Sequence, residues 1–398
     1  MSRGINGFQP GRLAQVLAAR KLSQVQLASM VGVSAATISK WKSGQQAPEA
    51  DALERLASVV NVSPEWFTRH VSAQPSTPLF RSNASAHKAA REMLEARLEW
   101  VQDVAMGLVE FLDFPEVALP RRDFTDPNEI DQGEIERAAI ECREMWRIGR
   151  GPVPDLALAV EGAGVILIRE ETGVAQIEGL SAWSQVLEKP LIYLSSDKDN
   201  GFRSRFDLAH ELGHLILHKH IPRATDRVRH NQMEKQAHAF AGAFLLPAET
   251  FSSEIRTPIT LDSLLLLKQR WGVSVAAIIM RLEALGIISE EEKQILFKRR
   301  SARWGVRSEP GDETRAPEKP RLLQRSIGLL LSSGVMTKES LGQYFGLSVS
   351  DIEALSGLPE GFFQSGGDVV ELARLRPATP RAPNNHGGAK VVAFARTE

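Results

Sequence analysis

Apolar residues recur at intervals of three and four along most of the chain, and short strand-like runs occupy one central region. Helical spacing covers residues 8–70, 86–113, 133–149 and 261–298. The strand-like runs are residues 165–169, "GLSAWSQV" and "PLIYLSS". Two more long helices are predicted from "FDLAHELGHLILHKH" and "QMEKQAHAFAGAFLLP". The pattern therefore predicts a mainly α fold with a small β-sheet, which is the α+β class.

Two stretches rich in Pro, Ser and charged residues interrupt this pattern. "VSAQPSTPLFRSNAS" (71–85) and "VRSEPGDETRAPEKP" (306–320) are predicted linkers. The segments between and beyond them are an all-α N-terminal domain at 1–70, a central domain at 86–305 and a small helical accessory domain at 321–375. The Pro-, Ala-, Asn- and Gly-rich tail at 376–398 is predicted to be disordered.

Composition adds limits on the class of protein. The chain has 398 residues and a formal net charge of -1, so its overall charge does not indicate nucleic-acid binding. Residues 1–70 nevertheless contain eight Lys or Arg against four Asp or Glu, which favours a local polyanion contact. Cys142 is the only cysteine, which excludes an internal disulfide and a multi-cysteine zinc site. With no signal-peptide pattern and only short apolar runs, we expect a soluble cytoplasmic protein without membrane contact.

Two short helices with matching start and stop signals are predicted near the N-terminus. Ser23 can cap a helix over residues 24–31 that Gly32 ends, and Ser34 can cap a second helix that Gly44 ends. Apolar residues on both helices can pack across the short turn between them. The arrangement predicts a helix-turn-helix, with a purely structural helical hairpin as the alternative.

The string "LSQ..LA..VGVS...IS.W..G...P" resembles the XRE (Cro/CI-type) helix-turn-helix family over nearly all of residues 8–62. The resemblance implies that the second helix enters the major groove of double-stranded operator DNA, and that a homodimer binds paired half-sites. The positions that match the DNA contacts of the family are Gln24, Ala35, Ala36, Thr37, Ser39, Lys40 and Lys42. The two lysines suit phosphate, whereas the two alanines carry no hydrogen-bonding group, so base readout is expected to be sparse.

An HExxH pattern lies in the apolar stretch "FDLAHELGHLILHKH" and consists of His210, Glu211 and His214. Because residues four apart lie on one face of an α-helix, both imidazoles can converge on one zinc ion. Glu211 then lies beside the open coordination position, where it can act as a general base. The apolar surroundings predict a buried helix. A helix that carries histidines but holds no metal is the alternative.

A zinc hydrolase needs a third protein ligand, for which Glu234 is the best candidate. It heads an apolar helical face, where an unpaired carboxylate would be costly. "RFDLAHELGHLILH" followed by "EKQAHAFAGAFLLP" resembles the ImmA/IrrE family of metallopeptidases, over roughly residues 86–300. The resemblance implies a zincin-like peptidase domain with one catalytic zinc held by His210, His214 and Glu234, and with Glu211 as the general base.

Position 238 departs from that family, which usually has Asn or Asp four residues after the ligand glutamate. We expect His238 to hydrogen-bond and orient the first ligand histidine, with competition for the metal as the alternative. His218 and His220 are expected to be solvated residues at the end of the helix. "GLSAWSQV" is either an edge strand to which an extended peptide substrate adds or an ordinary edge strand.

Two functions remain open from these patterns. The first is a DNA-binding transcriptional regulator with a zinc-dependent endopeptidase domain. The family resemblance implies that such a protein cleaves a repressor or partner protein, for example the product of an adjacent gene, in a stress, phage or mobile-element response. The second is a repressor or antitoxin of a toxin–antitoxin-like pair, whose zinc domain is structural or binds a partner. A zinc hydrolase of small molecules fits less well beside an operator-reading module.

Overall fold

The chain consists mainly of α-helices arranged around one small sheet, so the predicted α+β class is confirmed. The computed structural model describes residues 4–76, 79–82, 88–174, 177–197, 200–222 and 227–364. The helices of these residues are α1 (Pro10–Ala19), α2 (Gln24–Val31), α3 (Ala35–Lys42), α4 (Ala50–Val60), α5 (Lys88–Val109), α6 (Gln132–Met145), α7 (Leu156–Gly162), α8 (Gly201–Leu217), α9 (Arg227–Leu245), α10 (Ala248–Ser253), α11 (Leu261–Trp271), α12 (Val275–Ala284), α13 (Glu290–Trp304), α14 (Leu322–Ser332), α15 (Lys338–Phe345) and α16 (Val349–Ser356). The strands are β1 (Leu79–Ser82), β2 (Ile166–Glu170), β3 (Ile177–Ser184) and β4 (Lys189–Ser195). The predicted disordered tail at 376–398 lies outside the described residues.

Side-chain caps fix the helix starts near the N-terminus as the sequence predicts. The Ser23 hydroxyl accepts a hydrogen bond from the backbone N–H of Gln26, and the Ser34 hydroxyl accepts one from Thr37. Gly32 ends α2 with φ at +76°, a left-handed conformation that glycine adopts without steric cost. α2 and α3 therefore form a helix-turn-helix.

The sheet has four strands in the order β1-β3-β4-β2. β3 and β4 are antiparallel, whereas β2 runs parallel to β4 with Ile168 opposite Tyr193. These three are the strands that the sequence predicts. β1 pairs antiparallel with β3 and lies inside residues 71–85, where the pattern predicts only a linker. Four residues are too short for a periodic signal, and this strand exists because β3 offers it unpaired backbone groups.

Side chains on alternate positions of the sheet enter two different apolar cores. Ile168 and Tyr193 pack with α1–α5 and α14–α16. Leu167 and Ile192 pack on the opposite face with α6–α9 and α11–α13. The sheet therefore separates the HExxH helix, α8, from the N-terminal helices.

The N-terminal helices dock on α5 through aromatic and ionic contacts. The rings of Trp66 and Trp100 meet edge to face with centroids 5.8 Å apart. Arg12 forms an ion pair with Asp103 of α5. Arg69 donates to the backbone carbonyl of Gln343, beside α15 residues that share the same core. The described part of the predicted accessory segment is thus packed against the N-terminal helices and α5.

The second predicted linker, residues 306–320, is anchored by buried charges. The Glu309 side chain is fully buried and lies 3.3 Å from Lys268 Nζ and 2.9 Å from Arg300 Nε. Its two oxygens also accept from the backbone N–H groups of Val275 and Ala276, at the start of α12. The Pro-rich composition predicts a linker, but these contacts hold the stretch against α11–α13.

Within the described residues, no single helix is long and apolar enough to cross a membrane. α11 and α12 together meet a length and composition test, but only as a pair bent by 100° at the break between them.

Candidate metal centre and nucleic-acid interface

α8 presents the HExxH residues from buried positions. His210 and Glu211 have no exposed surface, and His214 exposes 1%. The helix packs between β3 and α9. Glycine at position 213 favours its close approach to α9, since an added Cβ would make a tight contact of 3.1 Å with the Cβ of Phe240. The two helices are therefore close enough for a side chain of α9 to reach both histidines.

That side chain is Glu234. Its Oε2 lies 3.4 Å from His210 Nε2, and its Oε1 lies 3.2 Å from His214 Nε2. The two Nε2 atoms lie 3.1 Å apart. Among the described residues these three form a group whose ligand atoms all lie within 4.8 Å of one another. The structure thus brings together the three residues that the sequence predicts as ligands.

The spacing fits one tetrahedral metal ion. Zinc bonds of about 2.0–2.1 Å place neighbouring tetrahedral ligands about 3.3 Å apart, which matches the three separations. Burial raises the pKa of Glu234, but the two facing imidazoles lower it more, so the pKa falls below its usual value and the carboxylate is ionised. Two imidazole nitrogens and one carboxylate facing each other form a donor set that suits a divalent cation.

Glu211 is held by β3. The Ser181 hydroxyl donates to Glu211 Oε2 at 2.7 Å, and Ser181 exposes only 2%. Gly179 leaves room for the carboxylate, since a Cβ there would lie 3.0 Å from Glu211 Oε1. The sequence does not predict this role for Ser181, because only the packing of β3 on α8 brings the two residues together.

The predicted DNA-contacting positions lie on or beside the surface of α3. Ala35, Ala36, Ser39, Lys40 and Lys42 are exposed, and Gln24 and Thr37 are half-buried. The Thr37 hydroxyl lies 2.8 Å from the hydroxyl of Ser34. The buried side of α3 consists of Ile38 and Trp41, so its other side is accessible to a duplex. A role of these residues in DNA contact stays a prediction.

Two family models match the chain. Residues 160–283 match a peptidase family model described as the IrrE N-terminal-like domain, and residues 13–67 match the model described as helix-turn-helix. The two matches cover separate parts of the chain, and the helix-turn-helix range lies before the IrrE-like range. No curated protein matches it at a significant level. The IrrE-like range contains all three residues of the cluster, and the helix-turn-helix range contains α2 and α3. The two family resemblances seen in the sequence are confirmed.

His218 of the IrrE-like domain is not the solvated residue that the sequence predicts. It exposes 1%, and its Nδ1 lies 2.9 Å from Nδ1 of His214. Its Nε2 lies 3.1 Å from Oε1 of Gln236 on α9. Burial lowers the pKa of His218 to about 3, and the neighbouring His214 contributes in the same direction. The prediction was wrong because α9 covers the end of α8, which the spacing within α8 does not reveal. His220 is half-exposed, as expected.

His238 lies on the exposed side of α9, next to the first histidine of the cluster. Its ring meets the His210 ring at a centroid distance of 4.4 Å. Its Nδ1 donates to the backbone carbonyl of Glu234 at 2.7 Å. The two rings are thus in contact, and the role of His238 in orienting His210 stays a prediction.

The outer edge of β3 in the IrrE-like domain is already paired. β1 places Leu79 opposite Ser181 and Ser82 opposite Ile177. Ser76 extends this coverage, since its backbone N–H donates to the carbonyl of Trp183 at 2.7 Å. "GLSAWSQV" is therefore not an edge strand in this conformation, and both alternatives drawn from the sequence are corrected.

A cleft opens beside the cluster. Its volume is about 1040 Å³, and Glu234 and His238 line it together with Phe206 and Met280. Charged side chains of both signs, including Arg169, also line its wall beside uncharged ones. Of the three cluster residues, Glu234 lines this cleft.

Proposed function

We propose that the chain is a cytoplasmic, DNA-binding transcriptional regulator whose IrrE-like domain is a zinc-dependent endopeptidase. The observation that carries the proposal is the buried cluster of His210, His214 and Glu234, with Glu211 beside it. Two imidazoles and a carboxylate with tetrahedral spacing suit zinc and leave one coordination position open.

Zinc, when bound, supplies a Lewis acid that polarises a peptide carbonyl. His210, His214 and Glu234 would hold it. Glu211 takes a proton from the attacking water and passes it to the leaving amine. Ser181 keeps the Glu211 carboxylate in one orientation by donating to its Oε2. The burial of His210, Glu211, His214 and Ser181 strengthens their electrostatic contacts by excluding bulk water.

The helix-turn-helix domain would bring the peptidase domain to DNA. We propose that α3 enters the major groove of an operator, with Lys40 and Lys42 neutralising phosphates. One such domain in each chain favours a homodimer on paired half-sites. The substrate would then be a repressor or partner protein, such as the product of an adjacent gene, cleaved in a stress, phage or mobile-element response.

The test uses Glu211→Gln in the full chain. The variant should bind one zinc ion as wild type does, yet cleave the neighbouring gene's product at least about 100-fold more slowly, because the general base is lost. Glu249→Gln is the matched control, since Glu249 is an exposed residue of α10 whose side chain is 78% accessible. Equal cleavage by wild type and Glu211→Gln would contradict the peptidase proposal.

A second function is favoured by the pairing of β1 with β3. Because β1 covers the edge to which an extended substrate would add, the domain could act as a repressor or antitoxin with a structural or partner-binding zinc site. In that case wild type and Glu211→Gln would repress equally and neither would cleave. His210→Ala would then lower the free energy of unfolding in step with the loss of zinc.

A further inference from the structure

A chain of hydrogen bonds connects two backbone carbonyls to one histidine of the metal cluster. Gln236 Nε2 lies 2.7 Å from the carbonyl oxygen of Pro127 and 3.0 Å from that of Ile130. Its Oε1 lies 3.1 Å from His218 Nε2, and His218 Nδ1 lies 2.9 Å from His214 Nδ1. Gln236 exposes 6% and both histidines expose 1%, so bulk water does not replace these partners.

The two carbonyls set the direction of every bond in the chain. Since carbonyl oxygens only accept, the amide nitrogen of Gln236 must face Pro127 and Ile130, and its oxygen must face His218. His218 Nε2 therefore carries a hydrogen and donates it. His218 is 1% exposed, and its two ring nitrogens face an amide oxygen and another imidazole, neither of which carries a negative charge. A second, charge-bearing hydrogen would be costly there, so its Nδ1 accepts. The hydrogen between the two rings then belongs to His214 Nδ1.

The position of this hydrogen determines whether Nε2 of His214 can bind a metal. With its hydrogen on Nδ1, the Nε2 lone pair is available and points toward His210 Nε2 and Glu234 Oε1, at 3.1 and 3.2 Å. If the bond between the two rings ran in the opposite direction, His218 Nδ1 would donate to His214 Nδ1. The single hydrogen of His214 would then lie on its Nε2. That tautomer blocks the atom that must bind a metal.

We propose that Gln236 and His218 are positioning residues that fix His214 in the tautomer able to bind a metal through Nε2. The inference rests on the proposed metal site and adds to it the source of its preorganisation. Neither residue is one of the three that would hold the metal. Gln236 acts on His218, and His218 acts on His214. The series of hydrogen bonds begins beside the 3-10 turn Pro127–Glu129, which packs against α9.

The first measurement is zinc affinity of the full chain, by competition with a chromogenic chelator. His218→Phe keeps a planar ring but removes the acceptor, so it should lower the affinity about 10- to 100-fold. Gln236→Leu should also lower it, because His218 loses the partner that sets its direction. His218→Asn places an amide oxygen where Nδ1 lies and should recover most of the loss. His220→Phe, the same change at a half-exposed neighbour, should leave the affinity unchanged.

The second measurement is the ring ¹⁵N spectrum of the metal-free chain, which requires no zinc. His218 should be the Nε2–H tautomer in wild type and should lose that preference in Gln236→Leu. Unchanged zinc affinity in His218→Phe, or an Nδ1–H tautomer of His218 in wild type, would overturn the inference. If wild type binds no zinc while His218 is the Nε2–H tautomer, the proposed function is contradicted, but the assigned direction of the hydrogen bonds is supported. Thermal unfolding of each metal-free variant identifies any that lowers affinity by losing its fold.

Discussion

At the residue scale, the contact between α8 and α9 depends on the absence of a side chain at position 213. The nearest atom to an added Cβ is the Cβ of Phe240, which is fixed to the backbone of α9 and cannot rotate away. Any enlargement at this position must therefore move α9, which carries Glu234, relative to α8.

Gly213→Ala should consequently lower the free energy of unfolding. Gly242→Ala is the matched control, because the nearest atom to its added Cβ is Arg281 Cδ at 3.7 Å, which is an ordinary van der Waals distance. Both variants gain about 0.5–1 kcal/mol of helix propensity. Overpacking costs about 1–3 kcal/mol at position 213 alone, so the two variants should differ by that amount in urea unfolding. Equal stabilisation of both would show that α9 yields without cost.

At the element scale, α2 and α3 form the helix-turn-helix that the caps and the turn glycine predict, because each of these signals acts within a few residues of a helix end. The docking of α2 and α3 on the rest of the protein depends instead on contacts between distant segments. α1 packs on α5, a contact between segments far apart in sequence, and this contact leaves the predicted DNA-facing side of α3 uncovered.

Substitutions on α3 should separate phosphate contact from base readout. Lys40→Ala should weaken binding to all duplexes alike and reduce the salt dependence by about one unit of log–log slope. Thr37→Ala should instead change the ranking of operator sequences, if its hydroxyl leaves Ser34 to meet a base edge. Lys298→Ala, an exposed lysine of α13, is the control. The measurement is a binding titration of each variant against a panel of DNA duplexes at several salt concentrations. An equal loss of affinity on every sequence for both α3 variants would exclude base readout by Thr37.

At the scale of the whole molecule, a buried ionic network joins the N-terminal helices, α5, the sheet and α16. Asp351 of α16 accepts from Arg20 at 2.9 Å and from Arg97 of α5 at 3.1 Å. Arg97 also donates to Glu170 of β2 at 2.6 Å, and Glu170 accepts from the Tyr193 hydroxyl. The network connects the predicted DNA-binding helices with the sheet that supports Glu211.

The network should make stability depend on pH. Burial raises the pKa of Asp351, but Arg20 and then Arg97 lower it more, so its folded pKa lies below the ordinary 3.8. The stabilisation is therefore complete above that ordinary value and is lost as the pH falls below about 4. Asp351→Asn should cost about 1–3 kcal/mol at pH 7 and less than that at pH 3.

Chemical denaturation at both pH values measures this difference. Asp123→Asn is the control, because the Asp123 side chain is 96% exposed and its removal should change stability little at either pH. A cost of Asp351→Asn that is the same at pH 7 and pH 3 would contradict the role of its charge.

The sequence by itself determined the features that depend on neighbours within one helix. His210 and His214 share a face because they lie one turn apart, and Ser23 and Ser34 start their helices because a cap reaches only three residues ahead. The prediction of Glu234 as a ligand depended on its position on an apolar helical face and on the family resemblance.

Tertiary structure alone decided the contacts between segments that are distant in sequence. Ser181 reaches Glu211 because β3 packs on α8, and His218 is buried because Gln236 on α9 bonds it. Residues 79–82 become a strand because β3 presents an open edge, and Glu309 is buried by Lys268 and its neighbours. Composition and periodicity describe each segment by itself, whereas burial and hydrogen bonding depend on which other segment covers it.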